Sequence, residues 1–110
     1  MSWLLYLLSP VQTWDFEIDD GDFVSTGDTG QWEWGEIRGG PGSGYDGTNG
    51  WATVLDGDHL NDSVDTLSLP SSIITDLDRP ILGFHQWLDI DTEGDFGTVE
   101  AFIDDIWVPI

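Results

Sequence analysis

Turn-forming residues interrupt this chain at short intervals and leave few windows long enough for a helix. The sequence contains 14 glycines and 5 prolines, interspersed with many Asp, Asn, Ser and Thr residues. Segments as short as those between the turns are more readily strands than helices. The predicted strands cover residues 3–8, 13–18, 31–37, 50–55, 66–75, 81–90, 98–103 and 106–110.

Alternation of apolar and polar side chains supports these strands. In segment 81–90, for example, Phe84, Leu88 and Ile90 fall on one face and Trp87 falls on the other. Several short alternating strands separated by turns are typical of a two-sheet sandwich or a jelly roll. A chain of 110 residues has the length of one domain. The sequence therefore predicts a single all-β domain over residues 1–110, an antiparallel β-sandwich of jelly-roll type.

The charge balance restricts the partners. Asp and Glu number 22 against 2 basic residues, which gives a formal net charge of -20. Such a chain lacks the basic stripe that phosphate groups require, and an anionic membrane surface would repel it, so we expect neither nucleic acid nor membrane as a partner. Self-repulsion also opposes folding, so the compact state is expected to depend on salt or bound cations. A high-salt organism and a calcium-rich extracellular setting are both compatible with this composition.

The apolar segment at the start of the sequence is too short to span a bilayer. We predict that residues 1–12 contain the first strand, with the remnant of an export signal as the alternative. The chain has no cysteine, which excludes disulfides and thiol chemistry.

One acidic pattern resembles a calcium-binding loop. Asp89, Asp91 and Glu93 alternate before Gly94, and Glu100 stands at the twelfth position. The preceding segment has a strand period, so we favour a calcium or sodium ion in a loop between strands over a helix-flanked calcium hand. A solvated acidic turn is the remaining interpretation.

Other acidic groups occur near both ends of the chain. Glu17 and Asp19 belong to an acidic run after an early predicted strand, and Asp105 lies in an acidic pair near the last strand. Each is by itself compatible with a hairpin turn. If the first and last strands are neighbours, these distant carboxylates could converge on one hard cation.

Aromatic residues are abundant, with 7 tryptophans. Exposed rings beside Asp and Asn suit glycan binding, because ring faces stack on the C–H groups of a sugar while carboxylates accept its hydroxyls. Core packing is the alternative role for any one of them. The candidate ligand-binding residues are Trp32, Trp34, Tyr45 and Trp87.

Catalytic signals are weak, and we predict no catalytic residue. His59 and His85 lack the spacing of a zinc motif, and no nucleophile elbow or phosphate-binding glycine loop occurs. Among so many carboxylates some pair will satisfy any spacing rule by chance, which leaves a small carboxylate-based glycoside hydrolase as a weaker alternative.

A set of sequence runs resembles a known family over residues 14–110. The runs are W-E-W-G, G-P-G-S-G-Y-D-G-T-N-G-W-A-T, D-T-L-S-L-P, L-G-F-H-Q-W-L-D-I-D, D-F-G-T-V-E-A-F-I-D and W-V-P-I. In order and spacing they are similar to the jelly-roll modules of secreted bacterial and archaeal proteins, including those attached to immune inhibitor A-like metallopeptidases. Those modules resemble MAM domains, which have a concanavalin-like fold.

The resemblance implies a non-catalytic extracellular module for adhesion, binding or stabilisation of a larger protein. It also implies a structural calcium ion near the first strand, which here points to Glu17. Oxygen ligands would be added by the turn containing Asp46 and Asn49.

The family's module usually continues beyond the W-V-P-I strand, whereas this sequence ends there. An incomplete sandwich would leave open strand edges and a bare apolar face. We therefore expect a homo-oligomer or a protein partner that supplies strands. The alternative function is a structural assembly subunit of a particle or filament, completed by such strand pairing.

Overall fold

The computed structural model describes residues 12–58, 60, 62–69, 81–91 and 93–110. These residues form strands, turns and irregular segments, with no helix among them, which confirms the predicted all-β class. The strands are β1 (Val24–Gly27), β2 (Trp32–Glu36), β3 (Asn49–Thr53), β4 (Asp65–Ser68), β5 (Glu100–Ile103) and β6 (Ile106–Pro109). They pair antiparallel as β1 with β4, β2 with β3, and β5 with β6. The closure of these small sheets into a jelly roll stays a prediction.

Strands β2 and β3 form the central hairpin, in which Trp34 is opposite Trp51 and Glu36 is opposite Asn49. The long connection between them folds back on itself through a bridge between Gly44 and Gly47. Because cross-strand partners share a face, the two tryptophans present one aromatic surface on this hairpin.

Strands β1 and β4 form a second pair beside the first, and β2 contacts both of them. Gly27 is opposite Asp65 and has a φ of 127°, a region that L side chains rarely adopt. A Cβ at this position would lie 2.5 Å from the Asp65 Cα, so the close approach of the two strands requires glycine. Strand β1 was not predicted from the sequence.

Strands β5 and β6 are joined by the two-residue turn Asp104–Asp105. Both residues have positive φ, 51° and 66°, as a type I′ hairpin turn requires. Among the strands that the structure describes, this hairpin contacts no other strand. Trp107 on β6 packs against Phe102 on β5 but remains 60% exposed.

Among the described residues, the packed centre is small and is flanked by aromatic contacts. In the described ranges, Ile37 and Gln31 are the buried residues, at 9% and 7% exposure. Next to the central hairpin, Phe23 makes edge contacts with Trp14 and Phe16, at ring-centroid distances of 5.1 and 5.2 Å. Such aromatic contacts supply much of the packing that a small domain needs.

Two predicted strands are wrong. Segment 13–18 is irregular, with a φ of 63° at Phe16, because its polar groups bond to side chains of the central hairpin instead of a neighbouring strand. Segment 81–90 is also irregular, and all but its last residue are exposed, so its alternation does not correspond to a buried face.

The remaining predicted strands are found with shifted ends or lie partly outside the described residues. Segments 31–37, 50–55, 98–103 and 106–110 correspond to β2, β3, β5 and β6. Segment 66–75 corresponds to β4 up to residue 68, and its part from residue 70 onward lies outside the described residues, as does segment 3–8. The described residues include no helix with the length and apolar character needed to cross a membrane.

Candidate functional site

The segment before β1 is fixed onto the aromatic face of the central hairpin by two indole groups. The Trp34 Nε1 donates a hydrogen bond to the Phe16 carbonyl at 2.8 Å, and the Trp51 Nε1 donates one to the Asp20 carbonyl at 3.1 Å. Because the two tryptophans are cross-strand partners, they hold the segment at points on both sides of Glu17. The Glu17 backbone NH donates a hydrogen bond to Asp15 Oδ1 at 3.0 Å, which completes a local turn.

This arrangement places the Glu17 carboxylate on the turn that leads into β3. Glu17 Oε1 accepts a hydrogen bond from the Asn49 backbone NH at 2.9 Å, and Oε2 accepts one from Thr48 Oγ1 at 3.2 Å. The Asn49 side-chain amide donates to the Glu17 carbonyl at 3.3 Å. A Cβ at Gly47 would fall on the Glu17 carboxylate. We call Glu17, Gly47, Thr48 and Asn49 the Glu17 clamp.

The chemistry of the clamp is that of a hard-oxygen site. It combines a carboxylate, the Thr48 hydroxyl and the Asn49 side-chain oxygen, which are ligand types that calcium accepts. Thr48 is exposed, whereas Glu17 and Asn49 are half-buried, so the site is open on one side. The structure thus brings together two of the predicted metal ligands, Glu17 and Asn49.

The other predicted metal ligands lie in turns. Asp19 Oδ1 accepts the Gly21 NH at 2.9 Å, and Asp46 is exposed at the tip of the connection between β2 and β3. Asp105 occupies the exposed turn between β5 and β6. In the part of the chain that the structure describes, no three His, Cys, Asp or Glu side chains lie together as they would to hold a metal ion.

The acidic loop after segment 81–90 closes on itself. Asp91 Oδ1 accepts the Glu93 NH at 3.0 Å, and the Asp95 NH donates to the Asp91 carbonyl at 3.0 Å. Asp89 is exposed just before this turn. Residues 81–91 contain no helix, so the helix-flanked calcium hand weighed from the sequence is wrong.

The predicted ligand-binding aromatics divide into two environments. Trp32 and Trp34 are half-buried, and their indole NH groups bond to the backbone carbonyls of Asp65, at 3.4 Å, and Phe16. Tyr45 and Trp87 are instead 77% and 56% exposed. The structure thus places the first pair in packing roles and the second pair at the surface.

The exposed pair lies where segment 81–90 meets the glycine-rich connection between β2 and β3. The Tyr45 ring stacks on the His85 ring with centroids 3.4 Å apart and planes 6° apart. The Trp87 ring lies on Gly40, where a Cβ would come within 2.6 Å of Trp87 Cζ3. We call Tyr45, His85 and Trp87 the aromatic platform.

One carboxylate network was not predicted. Asp65 Oδ1 accepts the backbone NH groups of Thr29 and Gly30 at 3.0 and 2.6 Å, and Oδ2 accepts Thr29 Oγ1 and Gln31 Nε2, both at 2.8 Å. Partial burial raises the pKa of Asp65, but the hydrogen bonds from Gln31, Thr29 and Gly30 lower it more, so the net pKa lies well below the ordinary Asp value. The Gln31 side chain also bonds to Ser63.

The only sequence signal for this network was weak. Residues 28–30 read D-T-G, a turn sequence, and Asp65 begins the D-T-L-S-L-P run. No local rule joins two sites that are 34 to 36 residues apart. The network is structural: it fixes the turn between β1 and β2 against the start of β4.

Comparison with known proteins gives one informative similarity. The chain is 31% identical over 85 residues to Bacillopeptidase F of Bacillus subtilis strain 168. The aligned region covers 77% of this chain but 6% of that peptidase, so the chain corresponds to a small part of its length. No family model matches the sequence. No solved structure matches it either. The MAM-like module therefore remains a resemblance.

Proposed function

We propose that this chain is a non-catalytic accessory module of an extracellular protein, stabilised by a calcium ion bound at the Glu17 clamp. The observation that carries the proposal is the approach of the Glu17 carboxylate to Thr48 and Asn49, two oxygen-bearing residues distant in sequence. A cation there would neutralise one of the 22 acidic side chains and join the segment before β1 to the central hairpin.

The accessory role is supported by the proportions of the alignment. Most of this chain matches a segment that makes up 6% of Bacillopeptidase F, too little to represent the peptidase as a whole. Within the described residues, the packed centre is small and the β5–β6 hairpin contacts no other strand, which also favours a module that works beside other protein segments.

The extracellular location is supported by the same similarity and by the charge. Calcium is abundant outside cells, and weak extracellular calcium sites bind with a Kd of about 0.1 to 1 mM. A net charge of -20 is compatible with such an ion-rich setting. A high-salt organism would give the same composition, and ionic screening alone would then stabilise the fold.

The test compares thermal unfolding in calcium chloride with unfolding in chelator, at matched ionic strength. A ligand that binds only the folded state stabilises it by about 2.7 kcal/mol at a hundredfold excess over its Kd. We expect calcium to raise the Tm of the unmodified chain and of Glu33→Gln, whose carboxylate is exposed on β2. Glu17→Gln, which keeps the size but removes the charge, should lose most of the rise. An equal rise in all three proteins would contradict the proposed site.

A structural assembly subunit is the second candidate, and the β5–β6 hairpin favours it. This hairpin contacts no other strand within the described residues. It exposes four apolar side chains, those of Phe102, Ile103, Ile106 and Trp107. An unpaired hairpin with apolar residues can add strands from another chain. Light scattering that shows a compact monomer at tens of micromolar protein would contradict this candidate.

A further inference from the structure

We propose that the aromatic platform binds an uncharged carbohydrate. The inference deepens the proposed function, on which it rests, because it names the class of ligand for a binding module. It depends on three observations: the platform residues are exposed, their rings pack against His85 and Gly40, and the chain carries a net charge of -20.

Tyr45 is exposed, but the tip that carries it has a closely packed base. It lies in the two-residue tip between Gly44 and Gly47, which are joined by a β-bridge. A Cβ at Gly44 would fall on the Asn49 carbonyl oxygen, and one at Gly47 would fall on Glu17, so the base of this tip is closely packed. One face of the Tyr45 ring is covered by His85, yet the residue is 77% exposed. An exposed ring on such a base loses less entropy on binding a ligand than a ring on a freely moving loop.

Trp87 differs from the tryptophans of the central hairpin in its hydrogen bonding. Trp32, Trp34 and Trp51 all donate their indole NH groups to backbone carbonyls. The Trp87 indole NH has no such partner among the described residues, and the side chain is 56% exposed. It therefore offers both an open ring surface and a free donor, which is the combination found at binding surfaces.

The polar groups near the rings suit hydroxyl-rich ligands. Asp46 follows Tyr45 directly, and Asp89 is two residues from Trp87, and both are exposed. Their carboxylates can accept hydrogen bonds from sugar hydroxyls while the rings contact sugar C–H groups. Residues 39–44, G-G-P-G-S-G, are mostly glycine, so few side chains stand beside the rings. Like-charge repulsion from a chain of net charge -20 disfavours acidic polysaccharides and nucleic acids.

Affinity electrophoresis through gels containing soluble neutral polysaccharides tests the proposal. The probes are a β-glucan, a xylan and a galactomannan, with polygalacturonate as the anionic control. We expect at least one neutral polymer to retard the unmodified chain and polygalacturonate to have no effect. Tyr45→Ala and Trp87→Ala should each weaken binding at least tenfold. Trp107→Ala, which removes another exposed tryptophan at 60% exposure, should bind as the unmodified chain does.

Three outcomes would overturn the proposal: no retardation by any neutral polymer, equal losses in the Trp87 and Trp107 variants, or equal retardation by polygalacturonate and the neutral polymers. Far-ultraviolet circular dichroism of each variant separates loss of binding from loss of folding. Melts in calcium and in chelator, run on the same samples, separate this inference from the proposed calcium site. A chain that keeps its calcium-dependent rise in Tm but binds no sugar contradicts the carbohydrate inference alone.

Discussion

The Gln31 side-chain amide donates a 2.8 Å hydrogen bond to the Asp65 carboxylate, across 34 residues of sequence. Gln31 is buried at 7% exposure and stands immediately before β2, whereas Asp65 is the first residue of β4. With the bonds from Thr29 and Gly30, this contact ties the β1–β4 sheet to the beginning of the central hairpin. The Asp65 carboxylate therefore contributes directly to the relative position of the two sheets.

Replacing Asp65 with Asn should destabilise the chain. The Asn side chain keeps one oxygen acceptor but places an NH₂ group where Oδ1 or Oδ2 now accepts hydrogen bonds, so several donors lose their partner. We expect a lower urea midpoint with an unchanged m-value. Asp58→Asn, in an exposed loop segment, is the matched control and should leave the midpoint unchanged. A midpoint that falls equally in both variants would show that net charge, not the network, is responsible.

The effect of Asp65→Asn on the urea midpoint should depend on pH. The folded-state pKa of Asp65 is lowered, so its ionised form contributes stability that is complete above the unfolded Asp value of about 3.9 and is lost as the pH falls below it. We expect the difference in urea midpoint between the unmodified chain and Asp65→Asn to be largest above about pH 5 and to narrow below about pH 4. Measuring a difference removes the contribution of the other carboxylates. A constant difference from pH 3 to pH 6 would contradict this origin.

The sequence predicted the all-β class and the two strands of the central hairpin, although not their pairing, because strand patterns are local. Trp32 and Trp34 alternate with Glu33 between turn signals, and a strand period is visible within five residues. The prediction failed for segment 81–90, where Phe84, Leu88 and Ile90 alternate equally well but Phe84 and Leu88 are exposed to solvent. Periodicity shows that a segment could line a core, whereas only the tertiary structure shows whether a core is there.

The candidate site was predicted in part, through a family resemblance and not through a local strand pattern. Glu17 and Asn49 were chosen through a family resemblance, and the structure brings them within hydrogen-bonding distance. The role of Asp65 was not predicted, because its partners lie more than 30 residues away and no local pattern marks them. A carboxylate that organises two loops has the same sequence signature as one exposed to water.

The hydrogen bond from Trp34 to Phe16 can be tested with Trp34→Phe. The substitution keeps an aromatic ring on the face of β2 but removes the indole NH that bonds the Phe16 carbonyl at 2.8 Å. We expect a loss of about 1–2 kcal/mol in the free energy of unfolding, from the lost bond and the smaller ring. Trp107→Phe, on an exposed position of β6, should change it by less than about 0.5 kcal/mol. An equal loss of unfolding free energy in both variants would contradict a special role for the hydrogen bond from Trp34 to Phe16.

Gly47 provides a test of the Glu17 clamp that does not alter any charge. A Cβ there would fall on the Glu17 carboxylate, so Gly47→Ala must displace Glu17 or the turn before β3. Overpacking of this kind costs about 1–3 kcal/mol. Gly97→Ala is the matched control, since a Cβ at Gly97 meets nothing within 4 Å. We expect Gly47→Ala to lower both the Tm and the calcium-dependent rise, and Gly97→Ala to change neither. A normal calcium response in Gly47→Ala would mean that the ion is bound elsewhere.

Substitutions of Asp105 can distinguish a role in the turn from a role as a metal ligand. Its φ of 66° lies in the left-handed region, which costs an ordinary L residue about 1–2 kcal/mol and glycine almost nothing. In the turn role, Asp105→Ala should weaken the β5–β6 hairpin and Asp105→Gly should preserve or strengthen it. Because the described part of the chain shows no other strand against this hairpin, the change should be local, and hydrogen exchange of the Ala101 and Val108 amides should detect it better than global melting.

A metal role for Asp105 makes the opposite prediction for the glycine variant. Both substitutions remove the carboxylate, so both would reduce the calcium-dependent rise in Tm if that carboxylate were a ligand. If the residue serves only the turn, both variants keep the full rise, and they differ from each other in exchange rates alone. The calcium response therefore tests the metal role, and the difference in exchange rates between the two variants tests the turn role. Measuring both on Asp105→Ala and Asp105→Gly decides which role the residue has.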